Sequence, residues 1–187
     1  MLASVEEPLR VKAKVCMVGA LAVGKTSLVR RYTLDLFEDR YITTLGTKVS
    51  KKTVDLTLDG TPRRIVLDML LWDIMGQPAF RGLLADAYFY EAKGILAVAD
   101  LTRPETFEEL DGWVGAIHDV AGVVPLLLVG NKSDLTNGSD GGTDKLAEAA
   151  DDLGCDSIVA SAKTGENVEE TFQQLGVATA RYRVSRS

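Results

Sequence analysis

Nine consecutive residues, Gly19 to Ser27 (GALAVGKTS), restrict the fold of this chain more tightly than any other stretch. An apolar run precedes them (Val11, Val15, Cys16, Met17, Val18) and an amphipathic continuation follows (Leu28, Val29, Tyr32), which reads as strand, glycine-containing turn, helix. The stretch fits G-x-x-x-x-G-K-[ST]. In such a loop the backbone N–H groups and the positive end of the helix dipole face a phosphate, a lysine adds charge, and a hydroxyl takes Mg²⁺. Lys25 and Thr26 hold those last two positions, and Leu21, Ala22, Val23, Gly24 and Ser27 complete the expected cradle.

Length and composition narrow the setting. At 187 residues the chain is long enough for one domain with a proper core and too short for two ordinary ones. Apolar residues make up 46%, with no apolar run as long as a membrane span, so a soluble α/β protein is expected. The opening residues MLASVEEPLR lack a signal-peptide apolar region. Cys16 and Cys155 have neither a metal-ligand spacing nor an evident partner, which suits inert thiols in a reducing, cytoplasmic compartment. A net charge of −6 argues against a nucleic-acid partner, because phosphate backbones select basic surfaces.

In chain order, residues 1–10 read as a loose lead-in, 11–181 as the folded domain and 182–187 as a short basic tail. Val11 to Val18 is a strand too apolar for an edge, and a helix runs from Lys25 to about Asp35. After an aperiodic loop, Val54, Leu56 and Leu58 alternate with polar residues, describing a half-exposed strand over Thr47 to Leu58. Asp59-Gly60 signals a hairpin, so the strand over Arg64 to Trp72 should run antiparallel to it. Asp73 to Gln77 breaks that pattern, and Ala79 to Tyr90 is read as a mobile helix. Gly94 to Asp100 and Pro125 to Gly130 are buried strands, separated by a helix that Thr102 and Glu105 open as a capping box. Thr136 to Gly142 is a loop, Thr143 to Leu153 a helix stopped by Gly154, and Ser157 to Ala160 a last strand. Asn167 with Glu170 caps the final helix, whose apolar side carries Val168, Phe172 and Leu175. The order β-α-β-β-α-β-α-β-α-β-α predicts a six-stranded, mainly parallel sheet with one antiparallel strand and helices on both faces. Ligands of such sheets sit beyond the strand C-termini, where Gly19 to Ser27, Asp73, Asn131 and Ser161 should meet.

Five groups of residues now carry a family resemblance: Gly19-x₄-Gly24-Lys25-Thr26, Tyr41 with Thr44, Trp72-Asp73-x-x-Gly76-Gln77, Asn131-Lys132-Ser133-Asp134 and Ser161-Ala162-Lys163. In that order and spacing they resemble the nucleotide motifs of the Ras superfamily of small GTPases, and Tyr41 to Gly46 and Ser161 to Asn167 are nearest the Rab branch. The resemblance implies a Ras-like P-loop NTPase fold of three layers and a switch that binds GTP or GDP with Mg²⁺ and hydrolyses GTP slowly. Asp134 can accept from both the ring N1–H and the exocyclic amine of guanine, a pair adenine does not offer. Ser161, Ala162 and Lys163 would support that pocket. Thr44 would join Thr26 and Asp73 as a metal ligand, Gly76 would offer its N–H to the γ-phosphate, Gln77 would orient the attacking water, and Phe37 and Tyr41 would flank the nucleotide.

The same resemblance implies a monomer with effector proteins in the GTP state, an exchange factor and a GTPase-activating protein. Arg181 to Ser187 holds no cysteine for the prenyl group of Rab and Ras proteins, so membrane contact would need a recruiting partner or a lipidated tail beyond residue 187. Departures from the family pattern are Leu21 in the P-loop, Ile74-Met75 before Gly76, Pro78 after Gln77, and a longer span from Lys25 to Asp73, which suggests a longer hairpin or a bulge. Leu21, Met75 and Pro78 favour the alternative of an interaction protein that keeps its nucleotide without turning it over. Asn131-Lys132-x-Asp134 argues against a P-loop kinase or ATPase.

Overall fold

The computed structural model describes residues 7–38, 46–59, 63–77, 85–137 and 141–186. Within them lie strands β1 (Leu9–Val18), β2 (Thr47–Thr57), β3 (Arg64–Ile74), β4 (Ala92–Asp100), β5 (Leu126–Asn131) and β6 (Asp156–Val159). The helices are α1 (Lys25–Leu34), α2 (Ala85–Phe89), α3 (Glu105–Glu108), α4 (Leu110–Ala121), α5 (Gly142–Leu153) and α6 (Val168–Val184), with a 3₁₀ turn at Ser133–Leu135. One sheet of order β2-β3-β1-β4-β5-β6 joins all six strands. Among these strands only β2 is antiparallel to its neighbour, as expected of a hairpin pair on either side of Asp59-Gly60.

β1 and β4 are central, and where they bury both faces, over Val15–Val18 and Gly94–Ala99, they read as unbroken apolar runs. On one face Val15, Met17, Leu67, Met69, Leu96 and Val129 pack under α1 and α6. On the other, Cys16, Val18, Ile95, Ala97 and Leu128 pack under the helices from α2 to α5. Tyr32 of α1 stacks on Phe172 of α6 with centroids 4.1 Å apart and planes 7° apart, tying the two helices of the first face together.

One open alternative is resolved and three expectations are corrected. The longer span before Asp73 is taken up by two eleven-residue strands paired without a break in register from Thr47↔Ile74 to Thr57↔Arg64, which answers the choice between a longer hairpin and a bulge in favour of the longer strand pair, with no bulge among the described residues. β3 also runs on through Asp73 to Ile74. The helix expected from Thr102 is two helices, and no capping box forms at its start: the Thr102 hydroxyl donates instead to Asp100 Oδ1 at 2.6 Å. Asn167 likewise makes no side-chain cap on α6, because its amide donates across to the Val159 carbonyl at 2.8 Å. Residues 79–84 and Gly60 lie outside the described residues; α2 covers the end of the helix expected there.

Cys16 lies fully buried in β1, its thiol against the Tyr88 carbonyl, and burial pushes its pKa up to about 12 despite the opposing pull of Lys14. It is expected to resist iodoacetamide in the native protein near the ordinary thiol pKa of about 8.5 and to react fully in urea, as peptide mass spectrometry would show. Native labelling at the unfolded rate would contradict this packing.

Candidate functional site

A cleft of about 300 Å³ opens at the C-terminal ends of β1, β3, β5 and β6. Its floor is the turn from β1 into α1. Gly24 caps α1 at φ 100, a left-handed conformation that glycine adopts without cost, and the first amides of the helix have no partner within it. Lys25 is 6% exposed and turns back over this turn, donating to the Gly19 and Ala20 carbonyls at 2.7 and 2.8 Å. Burial lowers its pKa to about 8 against the raising influence of Asp73 and Glu109. An anion in the cleft would offset that desolvation. The cleft, its helix terminus and its buried ammonium fit a phosphate chain.

Beside Lys25, the Thr26 hydroxyl donates to Asp73 Oδ2 at 2.5 Å, so two hard oxygen donors from α1 and β3 meet at one point. They fit a divalent cation such as Mg²⁺ that takes its other ligands from phosphate or water. Among the described residues no group of three His, Cys, Asp or Glu side chains could hold a metal by itself. Gly76 follows β3 so closely against the turn that a Cβ there would come within 2.6 Å of the Gly19 and Ala20 carbonyl oxygens.

The other end of the cleft is built from the loops after β5 and β6. Asn131, 1% exposed, donates through Nδ2 to the Val23 carbonyl at 2.8 Å and accepts through Oδ1 from the Ala162 N–H at 3.1 Å. One side chain thus joins three loops. Lys132, at φ 68, starts the 3₁₀ turn that presents Asp134, and the buried Ser161 hydroxyl donates to Asp134 Oδ1. Ser133 and Glu166 bond at 2.7 Å and close the two loops upon each other.

Of the residues expected from the sequence, Leu21, Ala22, Gly24, Lys25, Thr26, Ser27, Phe37, Gly76, Asn131, Lys132, Asp134, Ala162 and Lys163 line the cleft. Val23 and Ser161 lie beneath it and are fully buried, acting through the Val23 carbonyl and the Ser161 hydroxyl. Asp73 is buried next to Thr26, while the Gln77 side chain is exposed and does not line the cleft. Tyr41, Thr44 and Pro78 lie outside the described residues.

Further residues shape the cleft without having been expected. Arg31 donates to the Ala162 and Lys163 carbonyls at 3.0 and 2.6 Å, pinning the loop after β6 to α1. Asp100, at the end of β4, gathers Thr102, Arg103 and Lys132. The signal for Asp100 was present in the sequence as a lone carboxylate closing an apolar strand. Nothing local marks Arg31.

The sequence model of the Ras family matches residues 14–181, which contain every strand from β2 to β6 and nearly all of the cleft. The chain belongs to the Ras family. Among curated relatives it is 35% identical over 166 residues to the Ras-related protein RABD2b of Arabidopsis thaliana, covering 88% of this chain and 79% of the relative. Ras-related protein RABD2c of the same plant matches to the same extent. The sheet order and the single antiparallel strand agree with a Ras-like P-loop NTPase fold. In this Ras-family chain the P-loop is Gly19 to Thr26, and Leu21 within it stands 37% exposed at the cleft.

Proposed function

We propose that the protein is a guanine-nucleotide-dependent switch that binds GTP or GDP with Mg²⁺ and hydrolyses GTP slowly to GDP. The observation that carries this reading is the Asn131 side chain, which locks the phosphate-facing turn and the loops around Asp134 into one cleft. Lys25, the P-loop amides and Thr26 would hold the phosphates, and Asp134 would accept the two donors of guanine while Ala162 and Lys163 close over the base. Thr26, Asp73 and Thr44 would hold Mg²⁺, which when bound neutralises charge developing on the phosphates. The Gly76 N–H would meet the γ-phosphate, so that its loss on hydrolysis releases the loops near residues 37–48 and 75–90 that effectors read. Phe37 would pack along the guanine edge, with Tyr41 near the phosphates.

The nucleotide-binding unit would comprise residues 11–181, extended in the structure by Leu9 and Arg10 of β1 at one end and by α6 to Val184 at the other. Relatives named as Ras-related bring an exchange factor, an activating protein and effectors into this reading, with the chain working as a monomer. No helix among the described residues is long and apolar enough to cross a membrane, so membrane contact would be peripheral.

One observation favours a second reading, a nucleotide-holding interaction protein without turnover: Gln77 is exposed and does not line the cleft. Chromatography of the nucleotide released on denaturation, followed by single-turnover hydrolysis, separates the two. The switch requires bound guanine nucleotide and a Gln77→Leu rate roughly 10²-fold or more below the parent, the scale of a lost general-base group. Equal rates for Gln77→Leu and parent remove Gln77 from the reaction, and adenine nucleotide in the released fraction removes the guanine assignment.

A further inference from the structure

The end of β4 and the turn after it link the two ends of the cleft through two side chains, Arg103 and Asp100. Arg103 donates through an Nη to the Leu21 carbonyl at 2.8 Å and through Nε to Asp100 Oδ2 at 3.1 Å. Lys132 Nζ lies 2.6 Å from that same Oδ2. The other oxygen of Asp100 accepts from the Thr102 N–H at 3.0 Å and the Thr102 hydroxyl at 2.6 Å. Asp100 is 1% exposed, so its carboxylate is a fixed post rather than a mobile counter-ion. Burial alone would raise its pKa; the Lys132 ammonium and the two Thr102 donors outweigh this and hold it below the ordinary carboxylate value.

What Arg103 grips is the peptide between Leu21 and Ala22. A trans peptide directs its C=O and N–H to opposite sides. With the Leu21 carbonyl held on the outer side by Arg103, the Ala22 N–H is turned away from it, and both residues line the cleft. Ala22 sits at φ 61, a left-handed conformation costly for a residue with a Cβ, so an external hold is needed to keep this peptide in place. At the far side, Lys132 at φ 68 is the residue from which the turn carrying Asp134 springs. Anchoring its ammonium to Asp100 fixes where Asp134 stands.

We infer that Arg103 is a positioning residue that sets the Leu21–Ala22 peptide for phosphate binding and, through the Asp100 oxygen it shares with Lys132, couples the phosphate cradle to the base-reading turn. The inference rests on the guanine-nucleotide reading above and extends it: base selectivity depends on a residue that touches neither base nor phosphate. With the Arg103 side chain 36% exposed, its replacement removes this linkage without opening the core.

The test uses the full chain loaded with a fluorescent GDP, comparing the parent with Arg103→Met and Arg103→Lys. Removing the linkage should speed GDP dissociation about tenfold, within the usual range of site-to-site coupling. It should also lower the preference for GDP over IDP, which lacks the amine that Asp134 would accept, by several-fold. Arg103→Lys keeps a cation for Asp100 but not the two-pronged hold, and should fall between. A residue that merely supported the fold would lower the melting temperature and leave the GDP-to-IDP ratio unchanged; that result overturns the coupling. Should Arg103→Met not fold, parent rate and ratio in Arg103→Lys overturn it equally. Parent protein that binds ADP as well as GDP would overturn the guanine reading itself and the inference with it.

Discussion

Replacing Asp134 with asparagine is expected to transfer nucleotide preference from GDP to XDP. The carboxylate can only accept, and guanine offers two donors on adjacent positions of its ring edge. In the folded site Asp134 Oδ1 already accepts from the Ser161 hydroxyl, and Ser161 is fully buried with its own oxygen accepting the Thr164 N–H at 3.1 Å. That arrangement dictates how an asparagine would sit: its carbonyl would keep the Ser161 contact, and its NH₂ would replace Oδ2 where the base arrives. A donor would then face the guanine amine, leaving both unpaired, whereas xanthine places a carbonyl there. Sites built around such pairs discriminate by up to roughly 10⁴–10⁵-fold when the groups are fully desolvated. Asp134 stands exposed on its turn, so a shift of roughly 10²–10³-fold in the GDP-to-XDP affinity ratio is the expected scale. Competition titrations with GDP, XDP and ADP would measure it, and a variant that holds GDP with parental affinity would take Asp134 out of base recognition.

The order of strands and helices was legible because each signal is local and repeated. Val54 and Leu56 announce a half-exposed strand by alternation, and Val15 to Val18 announce a central one by the lack of it. Gly19 to Thr26 was legible for a different reason: a loop that wraps an anion needs glycine and lysine at fixed offsets, which leaves a contiguous pattern. The parts that escaped share a physical cause. Thr102 and Asn167 have side chains that could cap a helix or bond elsewhere, and both turn back to groups that precede them in the chain, Asp100 and the Val159 carbonyl. The contacts of Arg31 with Ala162 and Lys163 and of Arg103 with Leu21 join residues far apart in the chain, and their reach depends on packing that no local period encodes.

Gly24→Ala should be among the most damaging single-methyl changes available to this protein, and its effect divides into two measurable parts. The first is conformational: φ 100 lies where a side chain is disfavoured, at roughly 1–2 kcal/mol. The second is collision, because a Cβ at Gly24 would stand 2.2 Å from Asn131 Nδ2. Asn131 cannot step aside cheaply, since it is 1% exposed and holds the Val23 carbonyl and the Ala162 N–H. Displacing it leaves buried polar groups unpaired at roughly 1–3 kcal/mol each, so the whole change approaches the lower end of a typical domain's stability of about 5–15 kcal/mol. Gly165 supplies the control. It sits at φ 89, yet a Cβ there would meet only the flexible Arg31 side chain at 3.8 Å, so Gly165→Ala isolates the conformational part. Urea unfolding of the nucleotide-free variants should show Gly24→Ala losing roughly 3 kcal/mol more than Gly165→Ala, the scale of two broken buried hydrogen bonds. Equal losses would mean that Asn131 gives way freely, and that the bridge between the phosphate turn and the loop after β6 contributes nothing to holding the cleft together.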